Sequence, residues 1–395
     1  MTKAGLILTV FLASTAAVRA EWPCFRGPNY DGISRETGLT VAWEKPIPLV
    51  WDRQVGAAFS SFAAVGGRLY TCGAADGQQV LYCLSTDDGS IVWKTPIEKE
   101  YRDTHGDGTR ATPTIHDGRV YIQGAHGRLL CVDADKGAVV WEKAFTAKPQ
   151  WGYSGSVLIE GDLAIATPGS GQGSLAAFDR KTGKPAWTCG DDPPGYGTPY
   201  PFTFNGRRYV VGFTGRSVVI ADARTGALAL HYPWETSYDV NAAAPIFSDG
   251  HLFITSGYDT GSALLKLTAQ EDGKLSASEV WRSKVLLNKF QSCVLVDGNL
   301  YTSDQKHLHC VEFLTGKERW MVPRIKDGTL VVAEGHIFLL TEAGQLQIAE
   351  LSPEGFKPKT QAEILSGRCW TVSVIDNGRL YARNMERVAC FNLRG

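Results

Sequence analysis

The amino-acid sequence predicts an all-β fold, an eight-bladed β-propeller of four-stranded antiparallel blades. One hairpin-turn signal occurs eight times, and a second turn followed by tryptophan or leucine occurs five times. No helix-length stretch with a 3.6-residue apolar period follows the first twenty residues. The 395-residue chain is 44% hydrophobic and contains 43 glycines, as expected of a well-buried globular protein with many turns.

The chain begins with a stretch typical of a secretory signal peptide. Lys3 precedes an apolar run over residues 4–12, and Val18 and Ala20 occupy the small-residue positions of a cleavage site. The run is shorter than the roughly 20 apolar residues that a membrane-spanning helix needs. We therefore predict a signal peptide at residues 1–20, a periplasmic or secreted location and no membrane span in the mature chain.

Residues 21–48 are predicted to form an N-terminal arm, and the propeller is predicted to extend over residues 49–395. The last repeat ends in RVACFNLRG at 387–395, before the turn and outer strand that should follow. The segment LVWDRQV at 49–55 has the tryptophan of such an outer strand. We expect this N-terminal strand to complete blade eight, because closure protects sheet edges that would otherwise be open.

The eight hairpin signals are each a tight turn ending in glycine, followed by a short apolar strand. Glycine tolerates the positive φ that such turns require. The turn glycines recur every 37 to 51 residues, a period that accommodates about four short strands. The signals are GGRLY at 66–70, DGRVY at 117–121, EGDLA at 160–164, NGRRY at 205–209, DGHLF at 249–253, DGNLY at 297–301, EGHIF at 334–338 and NGRLY at 377–381.

The second series places a glycine four residues before a terminal tryptophan or leucine. Its members are LSTDDGSIVW at 84–93, VDADKGAVVW at 132–141, FDRKTGKPAW at 178–187, ADARTGALAL at 221–230 and VEFLTGKERW at 311–320. Each is predicted to be the turn between the third and the outer strand of a blade. Four-stranded units repeated around an axis form a propeller, and eight lie within the usual range.

Two patterns in the sequence partly resemble metal sites, namely the acidic pair in VDADKGAVVW and the histidine pair in QKHLHC. Asp133 and Asp135 precede a glycine, but Lys136 stands where the third calcium ligand should be. His307 and His309 share one strand face, and no third zinc ligand is identifiable beside them. We therefore predict no metal site, and we expect Asp133 to brace a turn.

Charge and cysteine content limit the partner and the redox chemistry. The 40 basic and 41 acidic residues are too balanced for a nucleic-acid-binding protein, so no nucleic-acid partner is expected. The nine cysteines are an odd number, so at least one is unpaired within the chain. Four of them occupy equivalent strand positions in the repeat, and the sequence leaves open a single disulfide among the irregularly placed Cys24, Cys189, Cys293 and Cys369.

The pattern D-x-x-T-G-x-x-x-W with a preceding G-x-x-Y resembles the PQQ-like (pyrrolo-quinoline quinone) repeats of quinoprotein alcohol dehydrogenases and of BamB. The flanking stretches WPCFRGPNYDGISRETGL at 22–39 and GRCWTVSVIDNGRLYARNMERVACFNLR at 367–394 resemble exported proteins with PQQ-binding-like propellers. The resemblance covers residues 49–395 and implies the propeller fold, while one such scaffold hosts unrelated functions.

If this chain were a quinoprotein enzyme, the resemblance would imply an adjacent cysteine pair beside the quinone, a tryptophan against its plane, an aspartate base and a calcium ion. This sequence has no adjacent cysteine pair. We therefore expect no cofactor, with PQQ and calcium as the unfavoured alternative.

The repeat also predicts on which face each connection lies, because antiparallel strands alternate in direction. The turns of both series share one face, here called the turn face. The interblade loops and the middle turns share the opposite face, here called the loop face. Eleven side chains of the interblade loops are predicted to converge there at the channel mouth: Asp107, Arg110, Trp151, Tyr153, Tyr196, Tyr238, Asp239, Asn241, Lys289, Phe290 and Trp370.

These aromatic and polar side chains suit a sugar, a peptide or a planar ligand. Structural roles remain open alternatives: Trp151 and Trp370 could pack between blades, and Arg110 could form an ion pair with Asp107. Asp239 and Asn241 could cap a turn, and His105 lies in a glycine-rich loop without an identifiable nucleophile.

The sequence thus favours a monomeric, exported, non-catalytic binding scaffold of the cell envelope. An envelope protein, a peptide or a carbohydrate is the expected partner at the loop face. The alternatives are a quinoprotein-type oxidoreductase and a carbohydrate-acting enzyme that use the same mouth.

Overall fold

The structure is a computed structural model that describes residues 21–395, and the predicted signal peptide lies outside the described residues. The described chain forms eight four-stranded antiparallel units around a central channel, which confirms the predicted fold class. A 3-10 turn at Ser237–Asp239 interrupts the strands. Within residues 21–395, no helix has the length and apolar character needed to cross a membrane.

Two strands precede the first blade, namely β1 (Ile33–Ser34) and β2 (Leu49–Gln54). Blades one to four then follow in chain order, each from its innermost to its outer strand. Their strands are β3 (Ala63–Val65), β4 (Arg68–Ala75), β5 (Gln78–Ser85) and β6 (Ile91–Lys99); β7 (Thr114–His116), β8 (Arg119–Gln123), β9 (Arg128–Asp133) and β10 (Val139–Ala144); β11 (Leu158–Glu160), β12 (Leu163–Ala166), β13 (Leu175–Asp179) and β14 (Pro185–Cys189); β15 (Tyr200–Phe204), β16 (Arg207–Phe213), β17 (Ser217–Asp222) and β18 (Leu228–Pro233).

Blades five to seven follow the same pattern, and blade eight has three consecutive strands. These strands are β19 (Ile246–Ser248), β20 (His251–Ser256), β21 (Gly261–Ala269) and β22 (Leu275–Ser283); β23 (Val294–Val296), β24 (Asn299–Ser303), β25 (His307–Glu312) and β26 (Glu318–Pro323); β27 (Thr329–Ala333), β28 (His336–Leu340), β29 (Gln345–Glu350) and β30 (Pro358–Glu363); β31 (Val374–Asp376), β32 (Arg379–Arg383) and β33 (Arg387–Asn392).

The ring is closed by the N-terminal strand, as predicted. Strand β2 pairs antiparallel with β33 as the outer strand of blade eight, and Trp51 lies opposite Cys390. In each of the eight blades, the pairing between the third strand and the outer strand contains a register shift, as at a β-bulge. Such bulges twist exposed edge strands and make them poorer templates for pairing with another chain.

The two turn series lie on the same face, which confirms the assignment of faces. In six of the eight blades, a residue that follows the third strand donates a backbone hydrogen bond to a carbonyl oxygen of the first turn, and blades four and five make the same kind of bond from Ala223 N to Arg208 O and from Leu267 N to Gly250 O. In blade two, Ala134 N donates to Gly118 O at 3.0 Å. Asp133 Oδ1 accepts bonds from the backbone amides of Asp135 and Lys136, so this acidic pair belongs to a braced turn.

Neighbouring blades are joined on the turn face by a tryptophan and a glycine. The tryptophan of one outer strand lies against the turn glycine of the next blade, where a Cβ added to Gly137 would approach the Trp93 ring to 2.7 Å. Trp93 Nε1 also donates to Ala134 O in that turn at 2.9 Å. Equivalent glycine and tryptophan pairs are Gly89 with Trp51, Gly183 with Trp141, Gly226 with Trp187 and Gly316 with Trp281. The repeated sequence pattern therefore encodes contacts between blades.

A partial ring of hydroxyl groups, here called the hydroxyl ring, joins blade eight and blades one to four along the channel. Ser61 N donates to Thr112 Oγ1, Thr112 N donates to Ser156 Oγ, and Ser156 N donates to Thr198 Oγ1, at 3.3, 2.9 and 3.0 Å. Ser61 Oγ in turn donates to Val372 O of blade eight at 2.6 Å. These residues precede the innermost strands, so the hydroxyl ring lies on the channel wall towards the loop face.

The N-terminal arm enters the ring between blades one and two. Trp22 is 3% exposed and forms a two-way backbone bridge with Ala64 of the innermost strand of blade one. Pro23 O accepts a hydrogen bond from Ile115 N of the innermost strand of blade two. The arm is therefore held by backbone groups on one side of the channel.

The same arm then reaches blades six, seven and eight. Arg26 donates to Cys293 O at 2.6 Å, strand β1 pairs in parallel with β27, and Ser34 Oγ donates to Ile375 O at 2.9 Å. Because blade six lies opposite blade two in a ring of eight, the arm crosses the channel. It closes the channel between the innermost strands and leaves a cup that opens on the loop face.

A buried arginine lies at the seam between blades eight and one. Arg383 has no exposed surface and donates to the carbonyl oxygens of Ser60 and Cys72 in blade one, and to Met385 O. Burial lowers the pKa of Arg383 to about 10. Carbonyl oxygens therefore solvate a guanidinium that has no carboxylate partner among the described residues.

The nine cysteines are all buried, and none is bonded to another. The disulfide that the sequence left open among the irregularly placed cysteines is therefore not formed. Burial raises the pKa of each thiol, for example to about 12 for Cys24, so these residues behave as small core side chains.

Candidate functional site

The cup has a cavity of about 200 Å³ on the channel axis. Aromatic side chains from the arm, the interblade loops and one middle turn form most of its wall. These aromatic residues are Phe25, Phe59, Trp151, Tyr196, Tyr258, Phe290 and Trp370. All except Tyr196 are partly exposed, so their faces are available to a bound molecule.

One half of the wall is organised around Trp370, which precedes the innermost strand of blade eight. Its ring stacks on Phe59 at 5.7 Å between centroids with an interplanar angle of 19°, and Phe290 lies 5.2 Å away. Trp370 Nε1 donates to Glu342 Oε1 at 2.9 Å, which fixes the orientation of the indole. Trp370 therefore presents a braced aromatic surface.

The other half is organised around Trp151. Tyr258 lies nearly parallel to it, at 6.4 Å and 13°, while Tyr238 stands steeply inclined to both rings. Tyr196 OH accepts a hydrogen bond from Trp151 N at 3.3 Å. Tyr238 and Tyr258 both have positive φ, at 63° and 52°. This backbone geometry is unfavourable for bulky residues and concentrates at functional loops.

Arg110 lies in the wall with its charge engaged by the backbone. Its guanidinium donates to Trp151 O at 3.0 Å, to Gly106 O at 2.8 Å and to Gly108 O, and it stacks over the Tyr101 ring at 4.3 Å. Burial lowers the pKa of Arg110, which nevertheless stays a cation at neutral pH. The ion pair with Asp107 left open by the sequence is not formed.

Two further cations flank Trp370. The Lys289 ammonium lies 5.2 Å from the centroid of its ring, and the Arg368 guanidinium lies 4.5 Å from it. Arg368 donates to His105 O. Burial raises the pKa of Asp327, while a hydrogen bond from Gln291 Nε2 to its Oδ1 at 3.0 Å and the charge of Lys289 oppose that rise. Among the described residues, the Lys289 ammonium nevertheless forms no ion pair.

Asp103 is the one carboxylate among the residues that line the cup. Its Oδ1 accepts a hydrogen bond from His105 N at 2.8 Å and lies 3.2 Å from His105 Nδ1. Asp107 Oδ1 accepts a bond from Asp103 N at 2.9 Å. Both carboxylates therefore fold the glycine-rich loop back on itself.

The structure brings together six of the eleven predicted side chains as lining residues, namely Arg110, Trp151, Tyr196, Lys289, Phe290 and Trp370. Tyr238 is 60% exposed at the rim. Beside it, Asp239 Oδ1 lies 4.0 Å from Arg216 Nε. Asp107 lies in the loop behind the wall, as described above.

Two of the eleven lie away from the cup. Tyr153 is 2% exposed, packs on Phe145 and donates to Pro168 O at 2.8 Å. Asn241 has no exposed surface, and its amide donates to Thr214 O and Trp234 O. Both therefore make internal contacts in the structure.

Three lining aromatics were not identified from the sequence. Phe25 belongs to the arm, which gave no sign of entering the channel. Phe59 lies four residues before the first innermost strand, as Trp370 lies four residues before the last, and that equivalence was the available signal. Tyr258 lies in a middle turn, which shares the loop face with the interblade loops.

A serine, a histidine and an aspartate also meet outside the cup. Asp192 Oδ2 accepts bonds from Ser217 Oγ and Thr214 Oγ1 and lies 3.2 Å from His231 Nε2. A catalytic triad needs the histidine between the nucleophile and the carboxylate. Here the carboxylate is in the middle and Ser217 is fully buried, so the arrangement is structural.

The lining residues do not fit a quinone held with calcium. Calcium prefers six to eight oxygen ligands, and the single lining carboxylate, Asp103, is engaged with His105. Within residues 21–395, no three His, Cys, Asp or Glu side chains converge as a potential metal site.

The fold and the cup define a class of protein, the PQQ-like repeat propellers. The family described as outer membrane protein assembly factor BamB matches residues 33–188 and 98–322 of the chain. The chain belongs to this family.

Curated relatives share parts of the propeller. Quinohemoprotein alcohol dehydrogenase ADH-IIG of Pseudomonas putida is 29% identical over 158 residues, which cover 38% of this chain and 21% of the relative. Tetrathionate hydrolase of Acidithiobacillus ferrooxidans is 23% identical over 246 residues, which cover 58% of this chain and 47% of the relative. The chain thus matches less than half the length of either protein.

Solved structures resemble the whole propeller. BamB from Moraxella catarrhalis superposes with a TM-score of 0.66 at 17% identity, covering 88% of this chain and 99% of that chain. Quinohemoprotein alcohol dehydrogenase from Comamonas testosteroni gives 0.67 at 14% identity, covering 97% of this chain and 82% of that chain. At these identities the resemblance concerns the fold.

Proposed function

We propose that this protein is a non-catalytic binding scaffold of the cell envelope, which holds a partner protein or ligand at its loop face. The observation that carries this proposal is the cup, in which six partly exposed aromatic rings converge around one cavity. Exposed aromatic surface gathered in a concave site is the usual feature of binding sites.

The state of the polar groups supports binding without catalysis. Arg110 donates to three carbonyl oxygens, Asp103 is engaged with a backbone amide and a histidine, and hydroxyl groups of the hydroxyl ring accept from backbone amides or donate to a backbone carbonyl oxygen. General acid–base or nucleophilic catalysis needs a side chain free to exchange a proton with, or attack, a substrate. The aromatic rings that form most of the wall supply contact area and no such group, and the Lys289 ammonium beside them is suited to binding a charged ligand.

The envelope location rests on two supports of different kind. The N-terminal twenty residues have the pattern of a secretory signal peptide. The matching family is described as an outer membrane protein assembly factor. A protein partner of the envelope is therefore the first expectation for the loop face, with a peptide or carbohydrate as alternatives.

Affinity capture tests the binding face. Wild-type protein is immobilised, exposed to a membrane and periplasmic extract of its source, and compared with a Trp151→Ala/Trp370→Ala double variant. Loss of both aromatic anchors should reduce the specifically captured material at least about tenfold, because such anchors dominate binding energy. Leu314→Ala, which alters an exposed residue of the turn face, is the control and should capture as wild type.

Equal capture by the double variant would refute the loop face as the binding surface. Thermal unfolding of each variant, followed by circular dichroism, shows whether a loss of capture is due to a loss of folding. A variant that melts as wild type does has lost binding only.

A quinoprotein-type oxidoreductase is the second candidate, favoured by the quinohemoprotein alcohol dehydrogenase relatives. Purified protein is mixed with PQQ and Ca²⁺ and supplied with a primary alcohol and an electron-accepting dye. We expect neither a retained chromophore nor dye reduction, because the lining residues do not fit the calcium and quinone pair. Dye reduction that requires both additions would establish the oxidoreductase instead.

A further inference from the structure

The cations of the cup suggest what it binds. Arg110 and Lys289 line it, Arg368 flanks its Trp370 wall, and Asp103 is the single lining carboxylate. Outside the lining, Asp107 acts on the charge of Arg110, Asp327 and Lys289 act on each other, and Glu342 is bonded to Trp370. Carboxylates thus offset the cations over the cup as a whole, but an ammonium at the wall still favours a ligand that places a negative charge directly beside it.

Among these cations, Lys289 is the side chain best placed to bind a negative charge on the ligand. Arg110 already donates to three carbonyl oxygens, and Arg368 donates to His105 O. Lys289 lacks an ion-pair partner among the described residues and lies against the Trp370 ring. Its ammonium therefore has hydrogen-bond donors to offer a ligand beside an aromatic surface.

The rest of the ligand must be flat and apolar. A sugar needs several free hydrogen-bonding groups in its site, and here the hydroxyls of Thr112, Ser156 and Thr198 already accept backbone hydrogen bonds. The remaining wall consists mainly of aromatic faces. An apolar cavity of about 150 Å³ holds benzene. The cup of about 200 Å³ accordingly has room for a one-ring or two-ring aromatic system.

We infer that the cup binds an aromatic carboxylate, with the ring system against Trp370 and Phe59 and the carboxylate bonded to Lys289. This inference rests on the proposed binding function of the loop face and specifies its ligand chemistry. The same chemistry occurs in a free aryl acid and in an aromatic residue at the C-terminus of a polypeptide.

Calorimetric titration with matched probes tests the inference. The probes are 2-naphthoate and its neutral analogue 2-naphthamide for the free acid, and N-acetyltryptophan and N-acetyltryptophanamide for a C-terminal residue. Each acid should bind wild type about tenfold more tightly than its amide, because a charge-assisted hydrogen bond contributes that factor. The pair that shows the larger preference identifies the source of the ligand.

Two lysine variants provide the control. Lys289→Gln should abolish the preference for the acid while leaving amide binding within about twofold of wild type. Lys317→Gln removes one positive charge from the turn face and should keep the preference. Melting curves verify that both variants are folded.

The outcomes separate this inference from the proposed function. Equal affinity for acid and amide, or a preference that survives in Lys289→Gln, would overturn the carboxylate assignment and leave the aromatic binding face intact. Absence of binding by all four probes would also overturn it. Loss of the capture difference between wild type and the Trp151→Ala/Trp370→Ala variant would overturn the proposed function itself.

Discussion

At the scale of single residues, position within the repeat does not determine the role of a polar side chain. His309 follows the apolar alternation of its strand and is 4% exposed, yet it meets two carboxylates. Its Nδ1 lies 2.8 Å from Glu318 Oε1, and its Nε2 lies 3.3 Å from Asp304 Oδ2. The contacts agree with an internal ion-pair group in blade six.

The pH dependence of stability should report this group. Burial opposes the protonation of His309, but hydrogen bonds and charges from Asp304 and Glu318 outweigh burial and raise its pKa above 6.5. A raised folded-state pKa means that the stabilisation is complete below about pH 6.5 and is lost as the pH rises through the folded pKa. Urea unfolding should therefore give a smaller free energy of unfolding at about pH 7.5 than at about pH 6, a window that ends before cysteines of the unfolded chain ionise at about pH 8.5.

The same measurement on His309→Gln should show a weaker dependence on pH in this window, whereas His116→Gln, which changes a partly exposed histidine, should behave as wild type. The lowered pKa of Asp304 affects stability only at acidic pH, below its unfolded value, and so does not interfere. Identical slopes for wild type and His309→Gln would contradict the assignment.

At the scale of elements, the blade joint explains why glycine recurs in the third-to-outer turn. Gly137 and Gly118 have nearly the same φ, 70° and 68°, but only at Gly137 would a Cβ meet an indole ring. Gly118→Ala should therefore cost about 1 kcal/mol of unfolding free energy through backbone strain alone. Gly137→Ala should cost about 2 to 4 kcal/mol, because overpacking against Trp93 adds to the strain.

Denaturant unfolding of both variants measures these costs, and a Trp93→Ala background completes the comparison. Removing the ring should relieve part of the additional cost of Gly137→Ala, since Thr95 Oγ1 would still lie 2.9 Å from the new Cβ, and should leave the cost of Gly118→Ala unchanged. Equal costs at the two glycines would refute the joint.

The elements were predictable because turn chemistry and strand alternation are local. The positions of the glycines indicated the turns. Trp51, which has the pattern of an outer strand but precedes the first repeat, indicated the closing strand. The path of residues 21–37 was not predictable, since its partners Ile115, Cys293 and Ile375 are brought together only by the closed ring.

The same limit applied to the candidate site. Trp151 and Trp370 could be placed at the mouth because loops were assigned to faces. Tyr153 and Asn241 occupy equivalent stretches of chain but turn inward, and side-chain direction within an irregular loop has no sequence period to reveal it. Phe25 came from a segment outside the repeat.

At the scale of the whole molecule, the arm and β2 hold the ring together. Deleting residues 21–55 removes the outer strand of blade eight and the arm that crosses the channel. Thermal unfolding monitored by circular dichroism should then shift markedly downward, because Val388 and Cys390 lose their covering strand.

A synthetic peptide of residues 38–56, added to the shortened protein, should restore part of the lost stability by supplying β2. A permuted peptide of the same composition is the control. Unchanged melting of the shortened protein would refute the closing role of this segment.

The closing strand also determines when the ring can be completed during synthesis of the chain. Asp52 and Arg387 bond across the closing sheet although 335 residues separate them, so a growing chain makes the first half of this contact long before the second. Linear repeat arrays can gain stability unit by unit. This chain cannot complete its ring until blade eight has emerged, and contacts of such sequence separation form slowly. Its biogenesis therefore includes an interval with an open sheet edge, when aggregation competes with native assembly.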